Sequence, residues 1–568
     1  MMGYGHLDHT VETNDRPLFS RAFVAQAEEG GKQVAMVCSE LCSISQAIKE
    51  EVMLRLEKKY PGEFEEANVW LTAQHTHSAP AGYIKYPIYS TSAPGFQPKV
   101  LEAIVVSIVS AISKAKDNMQ PGNISINSDS FPDEIPVAWN RSIAAYNENP
   151  DVEHFEDYEA HLAIDRNMDQ LKFSAADGSP LGILNWFGVH CTSVGNTYHD
   201  MNSDNKGWAS EYFEKEVGDG FVAAFAQGTA GDVSPYYHGP GEWSKRKAIM
   251  DQDPENSRLN GEMQFKQAWE IHQGDYRELE GVVDYGMMYV DMSAVDCDPA
   301  FTGGVENART ASGALGVGFF RGTKVDGMGM PGALAGFSKA WCGTIKARRQ
   351  VGHWFRSKEK RKALKAYHRS QGKKAMLMET GNKTLLGRKK VKRVPVPQIA
   401  DPSFLSLKTH DRNGALEEHT WLQEIVPIQI VILGELALVA IPTEITTTAG
   451  KRLRETVQQT LAKRGVEKCI IAAYSNSYIG YITTHQEYRL QEYEGGHTVH
   501  GQWSLAALQT KLQELAQQML LPADEREFSA LRPPVFSQEE LDKRTELILY
   551  PRKARKEQSR LKKAIEKQ

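Results

Sequence analysis

The sequence predicts a mixed α/β fold: one large domain with mixed sheets and its chemistry at strand ends. Three observations lead there. Short apolar runs of strand length alternate with stretches of helical spacing through the first two-fifths of the chain, and this alternation returns after residue 425. Histidines stand at the ends of two strand candidates. The 568 residues, 41% hydrophobic, hold enough apolar material for a large core.

The elements follow in order. Gln33 to Cys38 has the length of a strand, and Ser45 to Leu56 follows with helical spacing of Ile48, Val52, Met53 and Leu56. Asn68 to Ala73 is a strand candidate and Pro98 to Ala115 an apolar-rich helix. Leu171 to Phe173 and Leu181 to Val189 flank Asp-Gly-Ser-Pro, which predicts a hairpin, and Phe221 to Ala226 is a buried strand. The middle, from about Pro240 to Pro397, reads as less regular. It holds a glycine-rich piece, Gly313 to Gly336, and two basic clusters, Lys346 to Arg369 (with Trp354 and Phe355) and Arg388 to Arg393. The basic-aromatic stretch fits either an anionic lipid surface or a solvated helix face. Val426 to Leu433 and Leu436 to Ile441 bracket Gly434-Glu435 as a hairpin. Thr447 to Ala462 is a helix, Cys469 to Tyr474 a strand, and Leu505 to Met519 an amphipathic helix. From Pro522 onward the chain is polar and ends in many Lys and Arg residues, which predicts a surface appendage or a disordered tail.

Composition excludes several classes. A net charge of -6 argues against nucleic acid as the main partner, since phosphate binding needs a basic surface. No run approaches the roughly 18 apolar residues of a membrane span. The opening MMGYGHLDHTVETND has neither a basic nor an apolar signal-peptide region, so the chain as it stands reads as cytoplasmic; an N-terminal truncation would make it extracytoplasmic or secreted. Six scattered cysteines without a CxxC pair predict reduced, buried thiols.

Five segments could carry chemistry. His75 and His77 follow the Asn68 to Ala73 strand, and a two-residue period would aim both to one side. Imidazoles on a rigid strand end suit a metal, though a His-x-His pair by itself is more often a surface or core hydrogen-bonding pair. His190 ends a second apolar strand, as a metal donor or a satisfied core histidine. Ala226 to Pro235 is a small-residue loop that could bring backbone N–H groups and Ser234 to a ligand, or be a generic turn. Glu444 lies at a strand-to-helix junction, where a helix N-terminus favours its anion. Tyrosines crowd Tyr478 to Tyr493, as packing or hydrogen-bonding groups.

Taken together, the order and wording of these segments resemble one family, the neutral ceramidases. The resemblance rests on Met2-Gly3-Tyr4-Gly5, Ser20-Arg21-Ala22-Phe23, His75-Thr76-His77-Ser78 and Asn185-Trp186-Phe187 running into His190. It continues in Ser203 to Gly207, Gly231-Asp232-Val233-Ser234-Pro235, Thr446-Thr447 with Gly450 to Arg454, Tyr481 to Thr484 and Tyr493-Glu494-Gly495. It implies a catalytic domain over residues 1–520 and a polar, basic tail over 521–568, with the β-sandwich common at the family's C-terminus missing. It implies hydrolysis of the N-acyl amide bond of ceramide or a similar N-acyl lipid, drawn from a membrane or micelle surface. The alternatives are a zinc hydrolase of another N-acyl lipid or an ester, and a non-catalytic lipid-binding relative. The implied ligands of one zinc ion are His75, His190, Glu444 and Tyr481, with His77, Arg141, Ser234 and Tyr493 beside the reacting amide. Where the family has glycines, this chain has Ala73, Ala79 and Ala81, which predicts a narrower loop and an altered substrate fit.

Such a set suits amide hydrolysis. Three firm ligands leave zinc a position for water. His77 could shuttle a proton or donate to the oxyanion, and Arg141 and Tyr493 could orient the substrate. Ser234 could hold a hydroxyl or attack directly; water is the favoured nucleophile, because no Gly-x-Ser-x-Gly elbow surrounds Ser234. A mostly hydrocarbon substrate also predicts an apolar cleft leading to His75 and His190.

Overall fold

The computed structural model describes all residues except 15, 28–30, 219, 237–252, 324, 328, 352–356, 395–402 and 548–568. Three sheets form its framework. The first orders the strands Ser20–Gln26, Gln33–Ser39 and Val69–Ala73, antiparallel then parallel. The second orders Arg277–Glu278, Gly122–Ser130, Asn167–Ala175, Pro180–Phe187 and Val222–Gln227, the last pair parallel. The third orders Val283–Asp291, Ile425–Leu433, Leu436–Ala440 and Lys468–Ala472, again closing on a parallel pair. The sheets share one apolar core. Phe23, Met36 and Trp70 of the first meet Leu184 and Trp186 of the second and Val431 and Leu438 of the third. Trp70 and Trp186 stack at 5.9 Å between ring centres.

The mixed α/β expectation is met, and so are most element assignments. The helix Gln46–Lys59 begins where Ser45 Oγ accepts from Ile48 N, which satisfies one of the free N–H groups of a helix start. The Asp-Gly-Ser-Pro turn joins Asn167–Ala175 to Pro180–Phe187, a longer hairpin than expected. All six cysteines are free and buried. Among the described residues, no helix is long and apolar enough to cross a membrane.

Two expectations need correction. The middle is not irregular: it contains the helices Asp253–Gln273, Gly332–Val351 and Lys358–Gln371 and the strand Val283–Asp291. The first helix escapes an apolar-period reading because its buried face is polar and small, with Asn256, Asn260, Gly261, Gln264 and Gln267. It lies against the helix Asp204–Val217 so closely that a Cβ on Gly261 would sit 2.6 Å from the Asn205 carbonyl oxygen. Trp354 and Phe355 fall outside the described residues.

The second correction concerns the C-terminal segment: residues 521–535 lie at the surface as expected, but residues 536–547 pack on the body. Phe536 and Leu547 are buried. Arg544 donates to the carbonyls of Lys85 (2.7 Å) and Ala415 (3.0 Å), and Phe96 N donates to Arg544 O at 2.8 Å. These are mainly backbone contacts made across the chain, so no local apolar pattern announces them.

Candidate active site

Small ladders outside the three sheets assemble the site. His75 and His77 lie past the end of Val69–Ala73, so strand alternation is not what aims them. His75 instead takes a left-handed backbone, φ 73°, uncommon for a residue with a side chain. Its N–H donates to Leu41 O at 2.9 Å, and Thr76 forms a parallel bridge to Cys191. The turn brings His77 Nε2 to 3.1 Å from His75 Nε2. His190 follows Pro180–Phe187 and is fixed by its own N–H to Val233 O, 3.1 Å. Glu444 and Tyr481 are direct register partners in a two-stranded parallel ladder, Glu444–Ile445 with Tyr481–Ile482. Arg141 follows Trp139–Asn140, which pairs with Val233–Ser234.

Donor atoms of His75, His190 and Glu444 all lie within 4.8 Å of one another, as a metal ion requires. Glu444 Oε2 is 3.3 Å from His75 Nε2 and 3.1 Å from His190 Nε2, and Tyr481 Oη is 3.1 Å from His190 Nε2. The Nδ1 atoms face backbone carbonyls, Cys42 O at 2.6 Å and Val233 O at 3.0 Å. That fixes the tautomer and leaves both Nε2 lone pairs toward the centre. Cys42, His75 and His77 form a second cluster of suitable donors, but the carbonyl contact occupies the His75 Nδ1 that faces the Cys42 thiol.

The electrostatics are those of a cation site. Burial opposes both charges, yet Glu444 raises the His75 pKa, and Glu444 itself is held well below the usual carboxylate range. Burial, then the His75 charge, pushes His77 well below an ordinary imidazole; burial, then Arg141, lowers His190. Burial, then the Glu444 charge, raises Tyr481 well above a free phenol.

Arg141 is locked. It donates to Glu494 (2.9 Å), Asp326 (2.7 Å), Gly231 O (2.8 Å) and the Tyr481 hydroxyl (3.0 Å). Four of its five N–H groups are thereby engaged. Ser234 is the sequence-predicted residue that the structure does not bring to the cavity. It is fully buried, donates to Asp326 Oδ1 at 2.6 Å and accepts from Tyr236 N at 3.0 Å. Tyr493 does line the cavity, its ring 5.4 Å from that of Tyr481.

The cavity has a volume of about 390 Å³. His75, His77, His190, Glu444, Arg141 and Tyr481 form its polar end. Its walls are apolar: Phe319, Phe320, Leu377 and Met378 from the middle of the chain, and Phe404 and Leu407 from the helix Ser403–Asn413 that follows it. Ala73, Ala79 and Ala81 do not line it. They are buried in the main core cluster, so the expected change in substrate fit has no basis at those positions.

Sequence reasoning missed several supports. Tyr478 donates to Glu444 Oε1 and Tyr474 to Oε2 at 3.2 Å. The density of tyrosines was the available signal, but only the fold shows which reach the carboxylate. Asp326, in a glycine-rich loop, carried no signal. Gly3, in the opening motif, passes directly over His77; its φ is 117°, and any Cβ there would collide with the imidazole ring.

Comparison with known proteins places this geometry. The sequence model of the family described as "Neutral/alkaline non-lysosomal ceramidase, N-terminal" matches residues 1–401 and 408–510. The neutral ceramidase of Pseudomonas aeruginosa is 33% identical over 91% of this chain and 69% of its own length. Neutral ceramidase B of Dictyostelium discoideum is 33% identical over 88% of this chain and 67% of its own. A crystal structure of the Pseudomonas aeruginosa protein superposes with a TM-score of 0.74 at 31% identity, covering 94% of this chain and 74% of that one. A structure described as a ceramidase complexed with C2 gives 0.75 at 32%, with the same coverage.

Proposed function

This chain belongs to the neutral/alkaline non-lysosomal ceramidase family, and from that premise we propose that it is a zinc-dependent hydrolase of the N-acyl amide bond of ceramide, releasing a sphingoid base and a fatty acid. The observation that carries the reading is the apolar cavity ending on His75, His190, Glu444 and Tyr481. Hydrocarbon walls suit an acyl lipid, and each buried CH₂ contributes about 0.8 kcal/mol. The names of the relatives support the substrate.

The donor set fits zinc. Two imidazole nitrogens with outward hydrogen bonds and one carboxylate are a common catalytic zinc set, with Tyr481 as a weaker fourth. When bound, zinc supplies Lewis acidity toward the amide carbonyl and toward water. Tyr474 and Tyr478 hold the Glu444 carboxylate in place. Arg141 holds the Tyr481 hydroxyl, from where it can hydrogen-bond the carbonyl oxygen as charge develops there. His77, kept neutral by burial, can take a proton from the attacking water and return it to the leaving nitrogen. Water adds to the amide carbon first; the C–N bond then breaks as the carbonyl re-forms, and the nitrogen departs as an amine carrying the proton that His77 returned. Ser234, turned toward Asp326, acts as a positioning residue for the Arg141 cluster. The experiment is zinc analysis of the purified protein paired with turnover of ceramide against a panel of N-acyl lipids, esters and soluble N-acyl amino acids. A protein that cleaves only the soluble compounds, or that is active without metal, overturns the reading.

A further inference from the structure

The helix Gly332–Val351 buries Ala335, Ser338 and Cys342 and leaves large apolar groups on its outer face. Phe337 is 65% exposed and Trp341 44%. One turn apart, their rings stack at 6.2 Å and 28°. Arg348 lies two turns beyond Trp341 on the same stripe and is also exposed. The start of this face belongs to the cavity, which Leu334, Phe337 and Ser338 line. An apolar surface therefore runs from the cavity walls out to solvent. Single exposed hydrophobic residues are ordinary, but a stacked aromatic pair continuous with an apolar cavity is an interaction site.

Charge points to the partner. Residues 332–371 contain eleven Lys and Arg and a single acid, Glu359, in a chain of net charge -6. The helix Lys358–Gln371, with Lys358, Lys360, Arg361 and Lys362 exposed, is tied to the aromatic helix through Glu379, which accepts from Arg349 at 2.6 and 2.8 Å and faces Tyr367.

We propose that this face is a lipid-docking surface, seated on a bilayer that carries anionic headgroups. Phe337 and Trp341 enter the boundary between headgroups and acyl chains, and Arg348 meets the phosphates. The cavity then opens toward the membrane, so a lipid can pass into it without crossing water. Helices with aromatic residues on one face and basic residues around them bind in this way. The inference rests on the reading that the cavity takes a lipid.

The test is co-sedimentation of the full chain with vesicles of phosphatidylcholine alone and with about one third phosphatidylglycerol. The chain is expected to pellet with the anionic vesicles, less so at high salt, and weakly with phosphatidylcholine alone. A Trp341→Ser/Arg348→Glu double variant should bind the anionic vesicles about thirtyfold more weakly. The same variant should hydrolyse ceramide in detergent micelles at the wild-type rate. Equal binding of the two vesicle types, or of wild type and variant, overturns the proposal. So does self-association in free solution that the double variant abolishes, which would assign the face to a second copy. Vesicle binding without micellar ceramide hydrolysis would uphold the docking surface and sink the proposed function instead.

Discussion

Ser234 Oγ lies 2.6 Å from Asp326 Oδ1, and Asp326 Oδ2 in turn accepts from Arg141 at 2.7 Å. The serine is thus three hydrogen bonds from Tyr481 and does not border the cavity. Ser234→Ala should keep full metal content and lower kcat by roughly ten- to a hundredfold, the effect of removing one hydrogen bond to a buried charge. Intact-mass analysis during turnover should show no acyl adduct; an acyl group trapped on Ser234 would make it the nucleophile.

His75→Ala and Glu444→Ala should each lose both zinc and turnover, because each removes a firm donor. Tyr481→Phe should retain zinc and lose most activity. Metal analysis beside the ceramide assay separates the cases, and zinc-free but fully active Glu444→Ala would refute the ligand assignment.

Tyr478→Phe removes the hydroxyl that anchors Glu444 Oε1. A freed carboxylate should weaken zinc binding by about ten- to a hundredfold. Competition with a chelator of known affinity measures this, and an unchanged affinity would leave Tyr478 a packing residue.

Gly3→Ala should fold normally and keep zinc, yet lose up to about a hundredfold in kcat, because the added methyl displaces the His77 ring. Equal kcat in the variant would show that His77 takes no part in proton transfer.

The buried carboxylate of Asp284 joins distant parts of the chain. It accepts from Arg526 at 2.7 and 3.0 Å and pairs with Arg464 and Lys32 at 2.6 Å. Burial opposes its charge, but these cations hold its pKa below the ordinary carboxylate value. A depressed folded-state pKa means that the stability is fully present above about pH 4, the unfolded value, and is lost progressively as pH falls from there through the lower folded-state value. Asp284→Asn should cost about 3 kcal/mol at neutral pH and flatten the acid limb of the unfolding profile. Denaturant titrations at pH 7 and pH 3 decide this; equal losses at both would show that the charge is not the cause.

The sequence by itself determined the mixed α/β class, most strands and helices, and the residues of the polar end of the cavity. Its apolar runs have one stable outcome, burial in sheets, and that is a local property of composition and spacing. The motif wording marked His75, His77, His190, Glu444 and Tyr481, although they are spread over more than four hundred residues. Tertiary structure alone decided how they meet. His75 and His77 converge through a left-handed turn and a bridge to Cys191, not through strand alternation. Asp326 and the tyrosines around Glu444 gain meaning only from contacts between distant segments. The helix Asp253–Gln273 hides an amide-rich buried face, and the segment before Leu547 docks through backbone carbonyls. In both, long-range hydrogen bonds act beside a few apolar contacts in fixing the position, and hydrogen-bond partners far apart in sequence leave no periodic trace in it.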